Sequence, residues 1–380
     1  MSLLERMASN ILHVPNKRSF MIPVYQPYFS GREKYYVNQC LDSTWISSKG
    51  EFIDRFERSF CQFIDADQAT SVCNGTVAIH LALEAIGIGP GDEVIVPTLT
   101  YIASVNTILQ TGATPIFVDS IENTWQIDPQ DIKRKITSRT KAVLIVHLYG
   151  LPCDMDAVMA ICEEHNLLLV EDCAEAVGTR YKGRHVGTFG DVATFSFFGN
   201  KTITTGEGGM VVSKDSAVMA RARHLKSQGV SPIREYWHDS LAYNYRMTNI
   251  CAAIGLAQLE NVEVILARKR QIADCYRKGL VGLPLKTHDE LQDTVHSFWM
   301  CSLVVNDAKV RDSLREWLKQ ADVETRPLFF PSHTLPHCST GEHFPIAESL
   351  SARGINLPSY PALSNPEIEL ICSYIRAYFG

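Results

Sequence analysis

Short apolar runs recur through the first 212 residues of the chain, and most are apolar at consecutive positions rather than at alternating ones. Consecutive apolar residues are typical of strands that are buried on both faces of a sheet. Helical patterns accompany these runs at 76–86, 154–165 and 216–226. Strands that alternate with helices in this way predict a mainly parallel α/β sheet. The seven apolar runs lie at 70–73, 93–97, 115–119, 142–147, 167–172, 192–197 and 209–212.

The last two of these runs are joined by a loop rather than by a helix, so they can pair differently from the others. A long helical pattern at about 247–279 follows, and it predicts a helix that links to a smaller α/β domain. That domain contains an apolar run at 296–305, a helical pattern at about 310–320 and a final helix near the carboxyl terminus. The domains we predict are an N-terminal arm over 1–20, a large domain over 21–255 and a small C-terminal domain over 256–380.

Composition narrows the class of protein. The apolar fraction is 46% and the charged fraction 21%, which is ordinary for a globular protein with a sizeable core. The net charge of −6 argues against a nucleic-acid partner, because binding to a phosphate backbone needs a basic surface. Eleven cysteines without a C-x-x-C pair indicate a reducing, cytoplasmic compartment. We find no signal peptide and no apolar stretch of membrane-spanning length, so no membrane association is expected.

Two suggestive motifs do not support their usual functions. Glycines at 87, 89 and 91 resemble a dinucleotide loop, but they follow a helix and precede a strand, which is the reverse of the required order. His333, His337 and Cys338 resemble a metal cluster. Pro336 disfavours a helix that would put both histidines on one face, and no fourth ligand is evident, so we predict no metal site.

Polar residues follow several of the predicted strands, at the sheet edge where open parallel sheets bind ligands. Gly75 and Thr76 follow the first apolar run at the start of a helix, where backbone amides favour an anion such as a phosphate. The alternative is an ordinary helix cap after a turn. Tyr101 follows the second run, and its ring can stack on a flat heterocycle or belong to the core.

Acidic and basic groups follow the later strands. Asp172 ends a buried run, where a carboxylate needs a partner; a protonated pyridine nitrogen would be one, and a helix cap is the alternative. Glu175 lies close enough in sequence to reach other ring substituents. Lys201 stands between the strand that ends near Ser196 and a glycine-rich loop. A desolvated lysine of this kind suits Schiff-base chemistry, while the alternative is an exposed loop lysine.

These four strand ends together predict one site. They supply an anion cradle, an aromatic ring, a carboxylate for a ring nitrogen and an amine at a single edge of the sheet. Few ligands other than pyridoxal 5'-phosphate need this combination. We therefore predict a pyridoxal-phosphate enzyme with Lys201 as its covalent anchor.

Longer motifs carry a family resemblance. NGTVAIHLAL, GDEVIVPTLTYIASVN, VEDCAEAVG, FGDVATFSFFGNKTITTGEGGMV and YNYRMTNICAAIGLAQLE resemble the DegT/StrS family of sugar aminotransferases, and the likeness extends over about residues 21–375. It implies the aspartate-aminotransferase fold (fold type I), with a mainly parallel seven-stranded sheet and a smaller C-terminal α/β domain. It also implies a homodimer with active sites shared between subunits.

The resemblance assigns roles to the strand-end residues. Lys201 matches the lysine that holds the cofactor covalently and moves the proton during amino transfer. Asp172 matches the partner of the pyridine nitrogen, and Tyr101 matches the stacking aromatic. Some relatives have histidine in place of the lysine and act as dehydratases, so the presence of Lys201 argues against that activity.

The resemblance also identifies residues around the phosphate. Gly75, Thr76 and Ser196 match phosphate-binding positions, and Asn244 matches an asparagine that reaches the phosphate from the other subunit. Glu175 occupies a cofactor-binding position where many family members have glutamine, a difference that one branch of the family shares. Weaker candidates for substrate contact, each with a structural hydrogen bond as the alternative, are His147, Tyr149, Arg246, Arg326 and His333.

The implied reaction is transamination, with pyridoxamine phosphate as the intermediate form of the cofactor. LDSTWISSKG, HLYGLPCDM and RGINLPSYP resemble the branch that uses glutamate to aminate C4 of GDP-4-keto-6-deoxymannose. Three alternatives remain at this stage. They are an aminotransferase for a UDP- or dTDP-linked keto sugar, a pyridoxal-phosphate enzyme of another class such as a lyase, and a non-catalytic sensor or scaffold.

Overall fold

The seven apolar runs become the strands of one sheet in a computed structural model that describes residues 22–380. The predicted arm over residues 1–20 lies outside the described residues. The strands are β1 (Ala69–Val72), β2 (Glu93–Pro97), β3 (Thr114–Val118), β4 (Thr140–Val146), β5 (Leu168–Asp172), β6 (Arg180–Tyr181), β7 (Arg184–His185), β8 (Val192–Ser196), β9 (Gly209–Val212), β10 (Leu285–Thr287), β11 (Thr294–Val295), β12 (Cys301–Val305), β13 (Arg326–Pro327) and β14 (Gly354–Leu357).

The large sheet has the order β1-β9-β8-β5-β4-β2-β3. Strands β8, β5, β4, β2 and β3 pair in parallel, whereas β9 is antiparallel to both β1 and β8. The prediction of a mainly parallel seven-stranded sheet is confirmed. Residues 197–208 connect β8 to β9 without a helix, whereas a crossover between parallel strands usually contains one.

Polar caps set the starts of many helices. Asn74, Asp154, Asp215, Thr248 and Ser364 each accept a backbone N–H in the first turn of the helix that follows, which satisfies an otherwise unpaired donor. The helices are α1 (Arg32–Ser43), α2 (Glu51–Ile64), α3 (Gly75–Ala85), α4 (Ala103–Gln110), α5 (Pro129–Lys135), α6 (Met155–His165), α7 (Ser216–Lys226), α8 (Asn249–Glu260), α9 (Val262–Gly279), α10 (Ala308–Gln320), α11 (Pro345–Arg353) and α12 (Asn365–Phe379).

The prediction of a single helix over about 247–279 is wrong. Two helices, α8 and α9, meet there at an angle of 62°. The break is at Asn261, whose φ of −111° and ψ of 7° leave the helical region. Asparagine competes for backbone hydrogen bonds and so favours helix ends. The bend lets α8 pack on α1 and α2, while α9 packs on α12.

Several apolar clusters stabilise the fold. Phe56, Phe60, Phe195 and Phe197 pack edge to face between α2 and β8, a geometry that aromatic quadrupoles favour. In the C-terminal part, an antiparallel sheet with the order β10-β12-β14-β13 packs against helices. Its core is a separate apolar cluster that includes Leu303. The domain boundary at 255/256 stays a prediction.

Within residues 22–380, no single helix has both the length and the hydrophobicity of a membrane span. Helices α8 and α9 pass that test only as a bent pair. Their apolar residues include Ala252, Leu256 and Ile265, which are buried in the core.

Candidate active site

A cavity of about 590 Å³ opens at the carboxyl ends of β1, β2, β5 and β8. This is the edge at which ligands bind in open α/β sheets. Part of its wall comes from the C-terminal half of the chain, including Trp299 and Phe329. The sequence-predicted residues that line it are Gly75, Thr76, Tyr101, Asp172, Glu175, Ser196, Lys201 and Arg326.

A close approach between α3 and β8 forms one end of the cavity. A Cβ atom added to Gly75 would lie 2.5 Å from Cβ and 2.7 Å from Oγ of Ser196, which is closer than such atoms can approach. Glycine is therefore required for α3 to begin against the end of β8. Asn74 caps this helix by accepting from the amide of Val77 at 2.9 Å, and the side chain of Thr76 is exposed at the cavity. The positive end of the helix dipole favours an anion here.

The carboxylate of Asp172 is buried at the end of β5. Its Oδ2 accepts from Oγ of Ser104 at 2.8 Å, and its Oδ1 accepts from the amide of Ala174 at 3.0 Å. Burial raises the pKa of Asp172, although these two hydrogen bonds and the nearby Lys201 oppose the change. A carboxylate held in this way would gain from a cationic partner in the cavity.

Lys201 and Glu175 form a close pair on the cavity wall. Nζ of Lys201 lies 3.7 Å from Oε1 of Glu175, while Oε2 of Glu175 accepts from the amide of Tyr149 at 2.7 Å. Burial lowers the pKa of Lys201, and Glu175 and Asp172 oppose that effect. Burial raises the pKa of Glu175 to about 7, with Lys201 again opposing. An amine whose pKa is lowered can act as a nucleophile and a base near neutral pH.

Tyr101 lies at the mouth of the cavity with 57% of its surface exposed. Its ring centre is 5.6 Å from that of Phe329. The two rings present an aromatic surface to the cavity, which suits stacking against a flat heterocycle.

Three of the weaker candidates for substrate contact are buried away from the cavity wall. His147 accepts from the amide of Cys153 at Nδ1 and contacts Glu171 through Nε2 at 3.1 Å. His333 contacts Oγ1 of Thr98 at 2.7 Å. The hydroxyl of Tyr149 accepts a backbone amide in the core. All three residues therefore make structural hydrogen bonds, which was the alternative to substrate contact. A position at the end of a strand does not determine the direction in which the side chain points.

The remaining candidates behave differently from one another. Arg326 lines the cavity with its side chain about half exposed, 3.6 Å from Glu324. Arg246 donates to Oδ1 of Asn244 at 3.1 Å and 3.2 Å, and neither residue lines the cavity of this single chain. A role for Asn244 in the site of a second subunit stays a prediction.

The fold also brings to this site residues that were not predicted from the sequence. Ser104 donates to Asp172 from the first turn of α4, three residues after Tyr101, so extending the search from the strand end into the next helix would have found it. Trp299 and Phe329 come from the C-terminal half of the chain. They carry no local motif, so only tertiary structure identifies them.

One buried group has the residue types of a metal site. Within residues 22–380, the ligand atoms of His147, Glu171 and Cys173 all lie within 4.8 Å of one another. The carboxylate of Glu171 already accepts the amides of Gly187 and Gly190 at 2.7 Å, in addition to its contact with His147. Backbone donors and the histidine thus satisfy Glu171, and the group carries no metal proposal.

Residues 27–376 match the profile of the DegT/DnrJ/EryC1/StrS aminotransferase family. The chain belongs to this family. The resemblance identified from the motifs is thereby confirmed, and with it the assignment of the chain as an aminotransferase of fold type I.

Similar proteins extend over nearly the whole chain. It is 57% identical over 360 residues to the GDP-perosamine synthase of Escherichia coli O157:H7, covering 94% of this chain and 99% of the relative. It is 53% identical over 365 residues to the GDP-perosamine synthase of Vibrio cholerae, covering 95% and 100%. The PLP-form of the putative sugar aminotransferase Spr1654 from Streptococcus pneumoniae aligns with a TM-score of 0.90 at 28% identity, covering 94% of this chain and 98% of that structure.

Proposed function

We propose that this protein transfers an amino group from glutamate to C4 of GDP-4-keto-6-deoxymannose, which yields GDP-perosamine and 2-oxoglutarate. The observation that carries this proposal is the likeness to two GDP-perosamine synthases at 57% and 53% identity, with almost the full length of both chains covered. The product is an activated amino sugar, a suitable precursor for O-antigen or another cell-surface polysaccharide.

Pyridoxal phosphate is the cofactor of this family, and the cavity fits it. When bound, it supplies an electrophilic carbonyl carbon and an electron-accepting ring. The start of α3, where Thr76 is exposed to the cavity close to Ser196, would take the phosphate. Asp172 would pair with the ring nitrogen, Tyr101 would stack on the ring, and Lys201 would hold the group covalently.

Lys201 would manage the proton in both halves of the reaction. Its Nζ would accept the proton that leaves the α-carbon of glutamate and pass it to the C4′ carbon of the cofactor, and in the second half it would carry a proton from that carbon to C4 of the sugar. Burial lowers the pKa of Lys201, which favours the neutral amine that the first step requires. Glu175, 3.7 Å away, can stabilise the amine when it carries the extra proton.

Asp172 would keep the ring nitrogen protonated. Its carboxylate is fixed from two sides by Ser104 and the amide of Ala174, so little reorganisation is needed when a cationic partner binds. When the α-carbon of glutamate loses its proton, negative charge develops on that carbon. A preorganised Asp172 would help this chain to stabilise that charge, because it keeps the ring nitrogen protonated.

The substrate assignment is tested by amino transfer from glutamate, with mass spectrometry of the nucleotide sugars. We expect GDP-perosamine to form from GDP-4-keto-6-deoxymannose, with one 2-oxoglutarate released for each product. Turnover of a UDP- or dTDP-linked keto sugar in preference to the GDP sugar would overturn the substrate assignment. Absence of 2-oxoglutarate with every acceptor would instead favour a lyase or a non-catalytic scaffold.

The role of Lys201 is tested with Lys201→Ala. We expect loss of amino transfer and of the imine absorbance of the purified protein, because no other amine replaces Nζ. Lys319→Ala is the matched control, since its side chain is 62% exposed and its amine pairs with Glu316 on α10. Normal turnover by Lys201→Ala would refute the assignment.

The proposal includes a homodimer with shared sites that works in the cytoplasm. Ile233, Tyr236 and Leu241 are each more than 90% exposed in the single chain, which supports their burial by another copy. Asn244, in the same region, would reach the phosphate in the site of the second subunit. All eleven cysteines are free thiols, as expected of a reducing compartment.

A further inference from the structure

Trp299 lies directly against the amine of Lys201. Nζ of Lys201 is 3.9 Å from the centre of the Trp299 ring, a distance at which an ammonium group is attracted to an aromatic face. Trp299 is 4% exposed and the Lys201 side chain 12% exposed, so the contact between the ring and the amine is largely shielded from water. The indole Nε1 donates to the carbonyl of Asn200 at 2.7 Å, which fixes the ring to the residue that precedes Lys201.

Further contacts hold the ring and the lysine in register. The Trp299 ring stacks on Tyr149 with 6.0 Å between ring centres and an angle of 9°. Tyr149 in turn fixes Glu175 through its backbone amide at 2.7 Å. The hydroxyl of Tyr25 donates to the carbonyl oxygen of Lys201. The aromatic face and the carboxylate are therefore positioned by one connected set of buried contacts.

We propose that Trp299 is a positioning residue that holds the amine of Lys201 against its ring face while that amine carries a proton and is not bonded to the cofactor. The inference rests on the proposed function of Lys201. It gives the amine a defined position between the ring and Glu175. A long lysine side chain would otherwise sample several rotamers, and proton transfer depends on placement to within a fraction of an ångström.

The surrounding charges set the direction of the effect. Glu175 and Asp172 are the acidic groups that act on the Lys201 amine, and Glu207 and Arg326 line the same cavity. Burial lowers the pKa of Lys201, whereas a ring face stabilises the ammonium form and raises that pKa. Removal of the ring face therefore lowers the pKa of Lys201. Entry of water into the space left behind would raise it, so the sign of the shift separates the two effects.

The experiment measures the protonation of Lys201 in the full-length, cofactor-free protein. Trace labelling with acetic anhydride across a pH series, followed by mass spectrometry of the peptides, gives the pKa of the amine. The exposed Lys319 of the same chain serves as the internal standard. The variants are Trp299→Leu, which removes the aromatic face, and Trp299→Phe, which keeps a weaker one. Trp125→Leu is the matched control, since Trp125 contacts Tyr149 but makes no cation–π contact with Lys201.

We expect Trp299→Leu to lower the pKa of Lys201 by about 0.5 to 1.5 units. Trp299→Phe gives a smaller shift in the same direction, and Trp125→Leu gives none. An unchanged or raised pKa in Trp299→Leu overturns the proposal, as does an equal shift in Trp125→Leu. Because no sugar substrate is used, failure here leaves the substrate assignment untouched, and failure of the substrate assay leaves this result standing.

A substitution that keeps the fold covers the case in which Trp299→Leu does not fold. The five tryptophans can be replaced by a multiply fluorinated tryptophan, which keeps the ring shape but weakens the negative charge on its face. We expect the pKa of Lys201 to fall in this protein. If the pKa of Lys201 in the fluorinated protein equals that of the wild type, the role of the ring face is refuted.

Discussion

The close contact between Gly75 and Ser196 offers a direct test of the proposed phosphate site. In Gly75→Ala, the new Cβ would lie 2.5 Å from Cβ, 2.7 Å from Oγ and 3.2 Å from Cα of Ser196. The last of these atoms belongs to the backbone of β8 and cannot rotate away. The first turn of α3 must therefore move away from β8, and its amides move with it from the proposed phosphate position.

The expected magnitude follows from the clash. Forcing one extra methyl group into a packed region costs about 1–3 kcal/mol. If that cost falls on the bound state, the affinity for pyridoxal phosphate drops by about fivefold to 150-fold. The overall fold should persist, because β1, β8 and the aromatic cluster under them do not depend on this contact.

Titration of cofactor-free protein with pyridoxal phosphate, followed by absorbance, gives the Kd. Gly89→Ala is the control, because a Cβ at Gly89 would meet nothing within 4 Å, and wild-type binding is expected. Adding Ser196→Gly removes the two nearest atoms and leaves the 3.2 Å contact with Cα, so Gly75→Ala should cost less affinity in the Ser196→Gly background than in the wild type. Wild-type affinity in Gly75→Ala, or an equal loss in Gly89→Ala, would refute the steric argument.

Two further predictions concern stability and assembly. Lys269 is fully buried, with Nζ donating to the carbonyl of Ser359 at 2.9 Å, and burial lowers its pKa to about 8 from 10.5. The unfolded chain binds this proton more tightly than the folded protein does. The free energy of unfolding of the wild type, relative to that of Lys269→Met, should therefore rise by about 3 kcal/mol as the pH increases from 7 to above 10.5. A difference between the two proteins that does not change with pH in urea titrations would contradict this prediction. For assembly, we expect light scattering to show a weaker dimer when Tyr236→Glu and Leu241→Glu are combined, since these residues are 96% and 91% exposed in the single chain. Val281→Glu, at a residue that is 68% exposed, is the control and should leave the dimer intact. A dimer that also tolerates the double substitution would place the interface elsewhere.

Local sequence patterns predicted the large sheet well. Each consecutive apolar run became a strand within a few residues of its expected bounds, because a strand buried on both faces has no polar side. The sequence also indicated that β8 and β9 can pair differently from the other strands, since a loop without a helix joins them, but the antiparallel direction came from the structure. The long helix pattern failed at Asn261, where both flanking segments are helical and only their packing partners differ.

The same logic explains which site residues were predictable. Asp172 and Lys201 follow strands that end at one edge, so chain order and sheet topology bring them together. His147 and Tyr149 also follow a strand, yet both are fully buried. Their side chains turn towards Glu171 and Phe329, and that choice depends on the space left by neighbouring elements.

The sequence by itself determined the seven strands of the large sheet, the starts of several helices and the chemical groups at the sheet edge, because burial on two faces and helix capping are local requirements. Tertiary structure alone decided how the cavity is closed. Trp299 and Phe329 reach it from distant parts of the chain, and the ring that contacts the Lys201 amine has no signal in its own neighbourhood. Contacts of this kind arise from packing between elements far apart in sequence, which no local pattern encodes.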